Sequence, residues 1–253
     1  KTAMKVADYV VTEAGFGAEL GAEKFFDIKC RIGELTPYKV VLVSTIKALK
    51  YHGGCTGNIY DLDDAALERG FANLDKHYDN LSKYGVNVIV CLNKYNTDSE
   101  NEIEIFKKHC TEKGYTFTIC DNKVLEEKDS NFKYLYELEE SYIDKINKVC
   151  KEIYGAKEVK FSELAMQKLT LLEKNEILNL PICVAKTQYS FSDDKNKLGV
   201  PTDFDVTVKD VQLYLGAGFL TVYLGDILTM PGLPAKPNYE LIDVENWEII
   251  NLS

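Results

Sequence analysis

The chain has 253 residues, of which 45% are hydrophobic, 28% charged and 11% aromatic. That is enough apolar material to bury a core and too much for a disordered polymer. No apolar run approaches the roughly 20 residues of a membrane-spanning helix, and a formal charge of −10 argues against nonspecific binding to nucleic acid or anionic lipid. Seven cysteines with no CxxC spacing read as free thiols of a reducing compartment, and the opening residues resemble neither a secretory nor a transit segment. A cytoplasmic protein is therefore expected.

Residue 1 is Lys, and KTAMKVADYVVTEAGFG starts inside a structured pattern, so a longer chain that has been cut is expected. Asp8–Glu13 (DYVVTE), Tyr38–Thr45 (YKVVLVST), Val86–Asn93 (VNVIVCLN) and Tyr115–Cys120 (YTFTIC) are short β-branched runs. Their near-continuous hydrophobicity predicts strands covered on both faces, as in a parallel sheet. Between them, Leu67, Phe71, Leu74, Tyr78 and Leu81 recur at helical spacing over 63–84, and Thr97 with Glu100 forms a candidate capping box for a helix running to Lys113. From Asn131, the spacing of Phe132, Leu135, Leu138, Tyr142, Ile146, Val149 and Ile153 predicts one long amphipathic helix ending near Gly155. A helix over 162–174 capped by Ser162 follows, and then strands at 182–185, 204–215 and 219–224. Three prolines in Met230–Pro237 (MPGLPAKP) exclude regular structure there. The expectation is an α/β fold, a mostly parallel sheet with flanking helices, with a boundary near the polar stretch 121–131. Residues 1–125 form the larger α/β unit and 126–253 a smaller α/β or α+β subdomain.

Gly15, Gly17 and Gly21 make GxGxxxG, one residue off the dinucleotide fingerprint, and the next strand ends without the acid that would hold a ribose. Glu13 and Glu19 also place negative charge where a pyrophosphate would sit. A tight turn serving close packing is the better reading, with nicotinamide binding a weak third. No GxxxxGK[ST] run occurs anywhere, so these residues carry no P-loop. His77 and His109 fall on predicted helices, where solvated or capping roles suit them. His52, before Gly53 and Gly54, is a candidate to line a ligand site. Asp61–Asp64 sits where a helix begins and needs no metal to explain it. Lys186 leads a polar run, KTQYS, after the strand PICVA. At a strand's carboxyl end such a run suits an anionic ligand or a polar subunit contact.

The blocks ADYVVTEAGFGAELGAEKFFDIKCR (7–31), VVLVSTIKALKYHGG (40–54), GFANLDKHYDNL (70–81), VIVCLNKYNTDSENEI (88–103), CVAKTQYSFSDD (183–194) and GAGFLTVYLGDILTMPGLPAKP (216–237) resemble, in this order, the C-terminal part of formate–tetrahydrofolate ligase. The resemblance implies a P-loop NTPase-like family fold whose phosphate cradle lies in an N-terminal part of the same protein. It also implies ATP-dependent joining of formate to tetrahydrofolate through formyl phosphate, with ATP, Mg²⁺ and tetrahydrofolate as cofactors and substrates, in a homo-oligomer, the family's tetramer. This chain would supply the folate side and would be inactive alone. Phe16 and Tyr95 match the family's aromatic positions at the folate slot, Tyr95 standing where phenylalanine is usual, and Asp98 completes an N-x-aromatic-x-x-D pattern. Lys123 falls about where the family has a tryptophan, with Glu126 and Glu127 near its glycine turn, and Lys186 is a further candidate contact. A lysine cannot replace an indole as a stacking wall, so the alternative reading is a ligase-like binding or assembly module without catalysis.

Overall fold

The valine-rich runs form parallel strands, but only the one at 87–92 is covered on both faces as expected; in the run at 39–44 Val41 and Val43 stay exposed, so one face of that strand is open. The computed structural model describes residues 2–119, 130–177, 179–225 and 227, together with the backbone of 243–245 and 248–250. Strands β1 (Lys39–Ser44), β2 (Asn87–Leu92) and β3 (Thr116–Ile119) form a sheet in that order, all parallel, with Ser44 level with Leu92 and Leu92 level with Ile119. Helices α3 (Ile46–His52) and α4 (Asp64–Ser82) connect β1 to β2, and α5 (Glu100–Lys113) connects β2 to β3. Ile46, Leu67, Phe71, Val90, Ile103 and Phe106 close the layer between them.

Helices α3 and α4 cross with almost no side chain between them. A methyl group on Gly70 would lie 2.0 Å from the Leu49 carbonyl oxygen, and one on Gly53 would lie 1.8 Å from that of Ala66. Contacts this short are with backbone, so the helices would have to part. Gly70→Ala is accordingly expected to cost about 1 kcal/mol net, since overpacking of roughly 1–3 kcal/mol outweighs the ~1 kcal/mol gain in helix propensity. A lowered urea midpoint at unchanged slope is the check.

The second sheet contains β4 (Glu158–Phe161), β5 (Ile182–Ala185), β6 (Asp205–Tyr214) and β7 (Phe219–Leu224) in the order β4-β6-β7-β5. The outer pairs are parallel and the β6–β7 hairpin antiparallel, so this sheet is mixed. Helix α6 (Tyr142–Lys148), continued by a π-helical turn at Val149–Tyr154, and helix α7 (Glu163–Lys174) accompany it. A short hairpin, β8 (Asp243–Glu245) and β9 (Glu248–Ile250), follows. One apolar cluster joins Phe26, Tyr84 and Val88 to Tyr142, Ile146 and Val222. No described helix is long and apolar enough to cross a membrane.

Three expected elements differ. DYVVTE is not a strand: no ladder partner stands beside it among the described residues, and Val11 is 95% exposed. The long helix from Asn131 forms only from Tyr142. Upstream, the donors leave the helical pattern for tertiary acceptors: Lys133 N–H to Tyr84 O (2.9 Å), Asn131 N–H to Gly85 O (3.2 Å) and Leu135 N–H to Asp27 Oδ1 (3.2 Å). The capping box of α5 is Ser99 with Glu102, two residues beyond the expected pair. The glycine run leads into a composite helix, α1 (Gly21–Lys24), a π-helical turn at Phe25–Cys30 and α2 (Arg31–Gly33).

Candidate functional site

Two clusters gather the candidate residues, both built on segments that leave or approach the sheets. The first grows from the glycine run. Phe16 sits at φ +63° with its side chain 75% exposed, a left-handed conformation that costs a non-glycine residue about 1–2 kcal/mol. Glu34, Glu176 and Asp203 share this conformation among the described residues, and Phe16 is the one that carries an aromatic ring. The glycines after it serve close packing: a methyl on Gly17 would meet Glu19 Oε2 at 2.1 Å, and one on Gly21 would meet Gly15 O at 1.9 Å.

Glu19, three residues after Phe16, is buried and ties this loop to the other sheet. Its Oε1 accepts from Lys186 Nζ at 3.3 Å, and its Oε2 lies 3.6 Å from His77 Nδ1. The Lys186 ammonium also donates to the carbonyls of Thr187 (3.0 Å) and Ser190 (2.5 Å) and lies 5.0 Å from the Tyr154 ring. Burial lowers its pKa, against the pull of Glu19. Lys186 thus turns its ammonium inward onto Glu19, and it also borders a cavity of about 540 Å³ together with Thr187, Gln188, Tyr189, Asp193 and Asp194. Burial, opposed by Glu19, brings the His77 pKa down to about 4, so the imidazole is neutral at pH 7.

The solvated roles expected for two histidines are corrected. His77 packs against Glu19 and the ring of Phe191 (centroids 4.8 Å apart), and His109 stacks on Phe71 at 4.0 Å and bonds Asp75 at 2.8 Å. Position on a helix does not reveal which face is covered. His52 borders a smaller cavity of about 190 Å³ with Ser44, Thr45, Asn73 and His77, at the carboxyl end of β1. Its Nδ1 accepts from Gly199 N–H at 3.4 Å.

The second cluster lies past the carboxyl end of β2, where open α/β sheets place ligand groups. Tyr95 and Asp98 form a closed turn: Tyr95 N–H donates to Asp98 Oδ2 (2.8 Å) and Asp98 N–H to Tyr95 O (3.0 Å). Asp98 therefore shapes the loop, and the Tyr95 ring is left partly exposed. Lys47 on α3 holds its ammonium 4.1 Å from the Tyr95 centroid and 4.4 Å from that of Tyr60. Beneath the loop, Glu102 accepts from Ser99 N–H (3.1 Å), Ser99 Oγ (3.0 Å) and Lys50 Nζ (2.8 Å), and Lys50 also donates to Asp61 O (2.9 Å).

Sequence reasoning missed Lys47, Tyr60, Glu19 and His77. The signal for Glu19 was its charge within an otherwise apolar glycine block. Lys47 and Tyr60 carried none, because their meeting depends on how the loop after α3 returns. Lys123, Trp247 and Met230–Pro237 lie outside the described residues. Among the described residues no group of three His, Cys, Asp or Glu side chains converges as a metal site.

Comparison with known proteins completes the picture. The family model described as formate–tetrahydrofolate ligase matches residues 1–253. A formate–tetrahydrofolate ligase from Bacillus licheniformis is 45% identical over 97% of this chain. The chain spans about half of that relative, 47% of its length.

Proposed function

Because the chain belongs to the formate–tetrahydrofolate ligase family, we propose that it supplies the folate-binding half of an enzyme that joins formate to tetrahydrofolate. The observation that carries this reading is the partly exposed Tyr95 ring, fixed by the Asp98 turn at the carboxyl end of a parallel sheet. An aromatic face held by its own backbone is a stacking surface for a flat bicycle such as a pterin. Phe16, strained and exposed, offers a second ring on the glycine loop, and Lys186 holds that loop through Glu19. Lys123 belongs to the same proposal as a contact to the folate tail or a phosphate.

ATP phosphates and Mg²⁺ do not fit what this chain presents, since the sequence has no P-loop run and the described acids do not converge. This chain's residues accordingly take no part in the phosphoryl step. In the proposed reaction formyl phosphate, made from formate and ATP on the family's N-terminal part, is attacked at its formyl carbon by N10 of the folate; the new C–N bond replaces the C–O bond to phosphate, and the N10 proton leaves with the phosphate. This chain's share is to bind and orient the folate. A cytoplasmic setting, a homo-oligomer and the division into 1–125 and 126–253 belong to the same proposal.

Titration calorimetry with tetrahydrofolate tests it. The 253-residue chain is expected to bind, and Tyr95→Ala to weaken binding about tenfold or more while Tyr95→Phe keeps it, because stacking on one aromatic is worth roughly 1–3 kcal/mol. Equal affinity for Ala and Phe at position 95 overturns the stacking role. A second reading, an assembly module without catalysis, is favoured by Lys123 in place of an aromatic wall and by the open flank of β1. There Val41 and Val43 are exposed on an outer strand among the described residues. Failure to form formyl-folate when the chain is combined with a P-loop-bearing N-terminal part, ATP, Mg²⁺ and formate would select it.

A further inference from the structure

The Phe16 side chain is 75% exposed, so the place of its ring depends on the backbone that carries it. A left-handed φ at a non-glycine residue persists only where the surroundings enforce it. Glu19 supplies such a support. A methyl on Gly17 would fall 2.1 Å from Glu19 Oε2, so that carboxylate lies against the residue next to Phe16. Gly17 O accepts from Leu20 N–H (3.0 Å) and Gly21 N–H (2.9 Å), which wraps the turn around Glu19.

The carboxylate is itself fixed by two distant elements. Lys186, just after β5, reaches its Oε1, and His77 on α4 stands beside its Oε2, backed by the ring of Phe191. An ammonium has three protons to donate. Those of Lys186 meet Glu19 Oε1 (3.3 Å), Thr187 O (3.0 Å) and Ser190 O (2.5 Å), and the side chain is wholly buried. No proton of that ammonium is left for a ligand. We propose that Glu19 and Lys186 are positioning residues, a pair that holds the Phe16 ring against the folate without touching the folate itself. The assignment rests on the folate reading above and deepens it, because the second sheet then sets folate affinity through one loop of the first unit. Without the carboxylate, Phe16 relaxes to ordinary backbone angles and its ring leaves the slot.

A double-mutant cycle on the 253-residue chain tests it, read by titration calorimetry with tetrahydrofolate where urea curves show each variant folded. Phe16→Ala is expected to weaken binding about tenfold, and Glu19→Ala about as much while Phe16 is present. Glu19→Gln should stay within about threefold of wild type, because its amide oxygen still accepts from Lys186 and fills the same place under Gly17. In the Phe16→Ala background, Glu19→Ala should cost no more than about twofold further, since it acts through a ring that is already gone. If Glu19→Ala does not fold, the pair Glu19→Ala, Lys186→Met, which leaves no buried charge unpartnered, takes its place in the same cycle. Unchanged affinity on removing Glu19, or an equal loss with and without Phe16, overturns the positioning role. Unchanged affinity in Phe16→Ala overturns it too, while leaving the Tyr95 face intact. If wild type binds no tetrahydrofolate, the folate reading falls and this assignment with it.

Discussion

Lys186→Met should lower stability by about 3–5 kcal/mol, the range for removing one partner of a buried ion pair. Its side chain is wholly buried and that of Glu19 nearly so. Without the ammonium, the buried Glu19 carboxyl loses its ion-pair partner in a site whose other neighbour, His77, is neutral at pH 7. The carbonyls of Thr187 and Ser190 also lose their donor. A large drop in urea midpoint at constant slope is the expected result. The double variant Glu19→Gln, Lys186→Met should recover a substantial part of the loss, because the stranded charge goes with its partner. A cost below about 1 kcal/mol for Lys186→Met, the level of an exposed pair, would mean that the ammonium faces solvent and is free to meet a ligand.

A second large effect is expected from pH. Asp27 lies fully buried on the π-helical turn, accepting from Tyr84 Oη (2.9 Å) and Leu135 N–H (3.2 Å) with Arg31 at 3.5 Å. Burial, reinforced by the nearby charge of Glu23, raises its pKa from 3.8 to about 7. The folded state then binds more protons than the unfolded chain between those values. Asp27's contribution to stability is therefore full below about 3.8, falls as pH climbs toward 7 and is gone above it. His77 acts oppositely: its folded pKa of about 4 lies below the unfolded 6.5, so its contribution is present above 6.5 and is lost as pH falls toward 4. The useful measurement is therefore the difference between wild type and Asp27→Asn, in which His77 cancels. Between pH 5 and pH 8 wild type should lose about 2–3 kcal/mol relative to the variant. Parallel stability curves would show that Asp27 is ionised in the fold throughout.

Where periodicity and burial coincide, the sequence was legible. The runs at 38–45, 86–93 and 219–224 became β1, β2 and β7 within a residue or two, and helix α4 kept the Leu67–Phe71–Leu74 stripe that announces it. Residues 131–141 were not legible. Their apolar spacing is real, but Phe132 spends it on Phe26 (5.5 Å) and Tyr136 spends its hydroxyl on Ile182 N–H (3.0 Å), so the same residues pack as irregular chain. The capping box failed for a related reason. Thr97–Glu100 and Ser99–Glu102 fit the same spacing rule, and only the distant Lys50 distinguishes Glu102. At the candidate site, the residues taken from family resemblance could be placed on loops. The partners that give them chemistry, Glu19 for Lys186 and Lys47 for Tyr95, come from segments 167 and 48 positions away, which no local pattern encodes.

The carboxylate of Glu102 is shared by two structures at once, closing the start of α5 and accepting the proton-rich end of Lys50, which in turn grips the backbone at Asp61. Three stretches separated along the chain are thereby made to open together or not at all. Amide protons of α3, of the 58–63 loop and of the first turn of α5 are accordingly expected to exchange with similar opening free energies, which native-state hydrogen exchange would check. The segment carrying Tyr95 lies between β2 and that capped helix start, so its ring is expected to open with them.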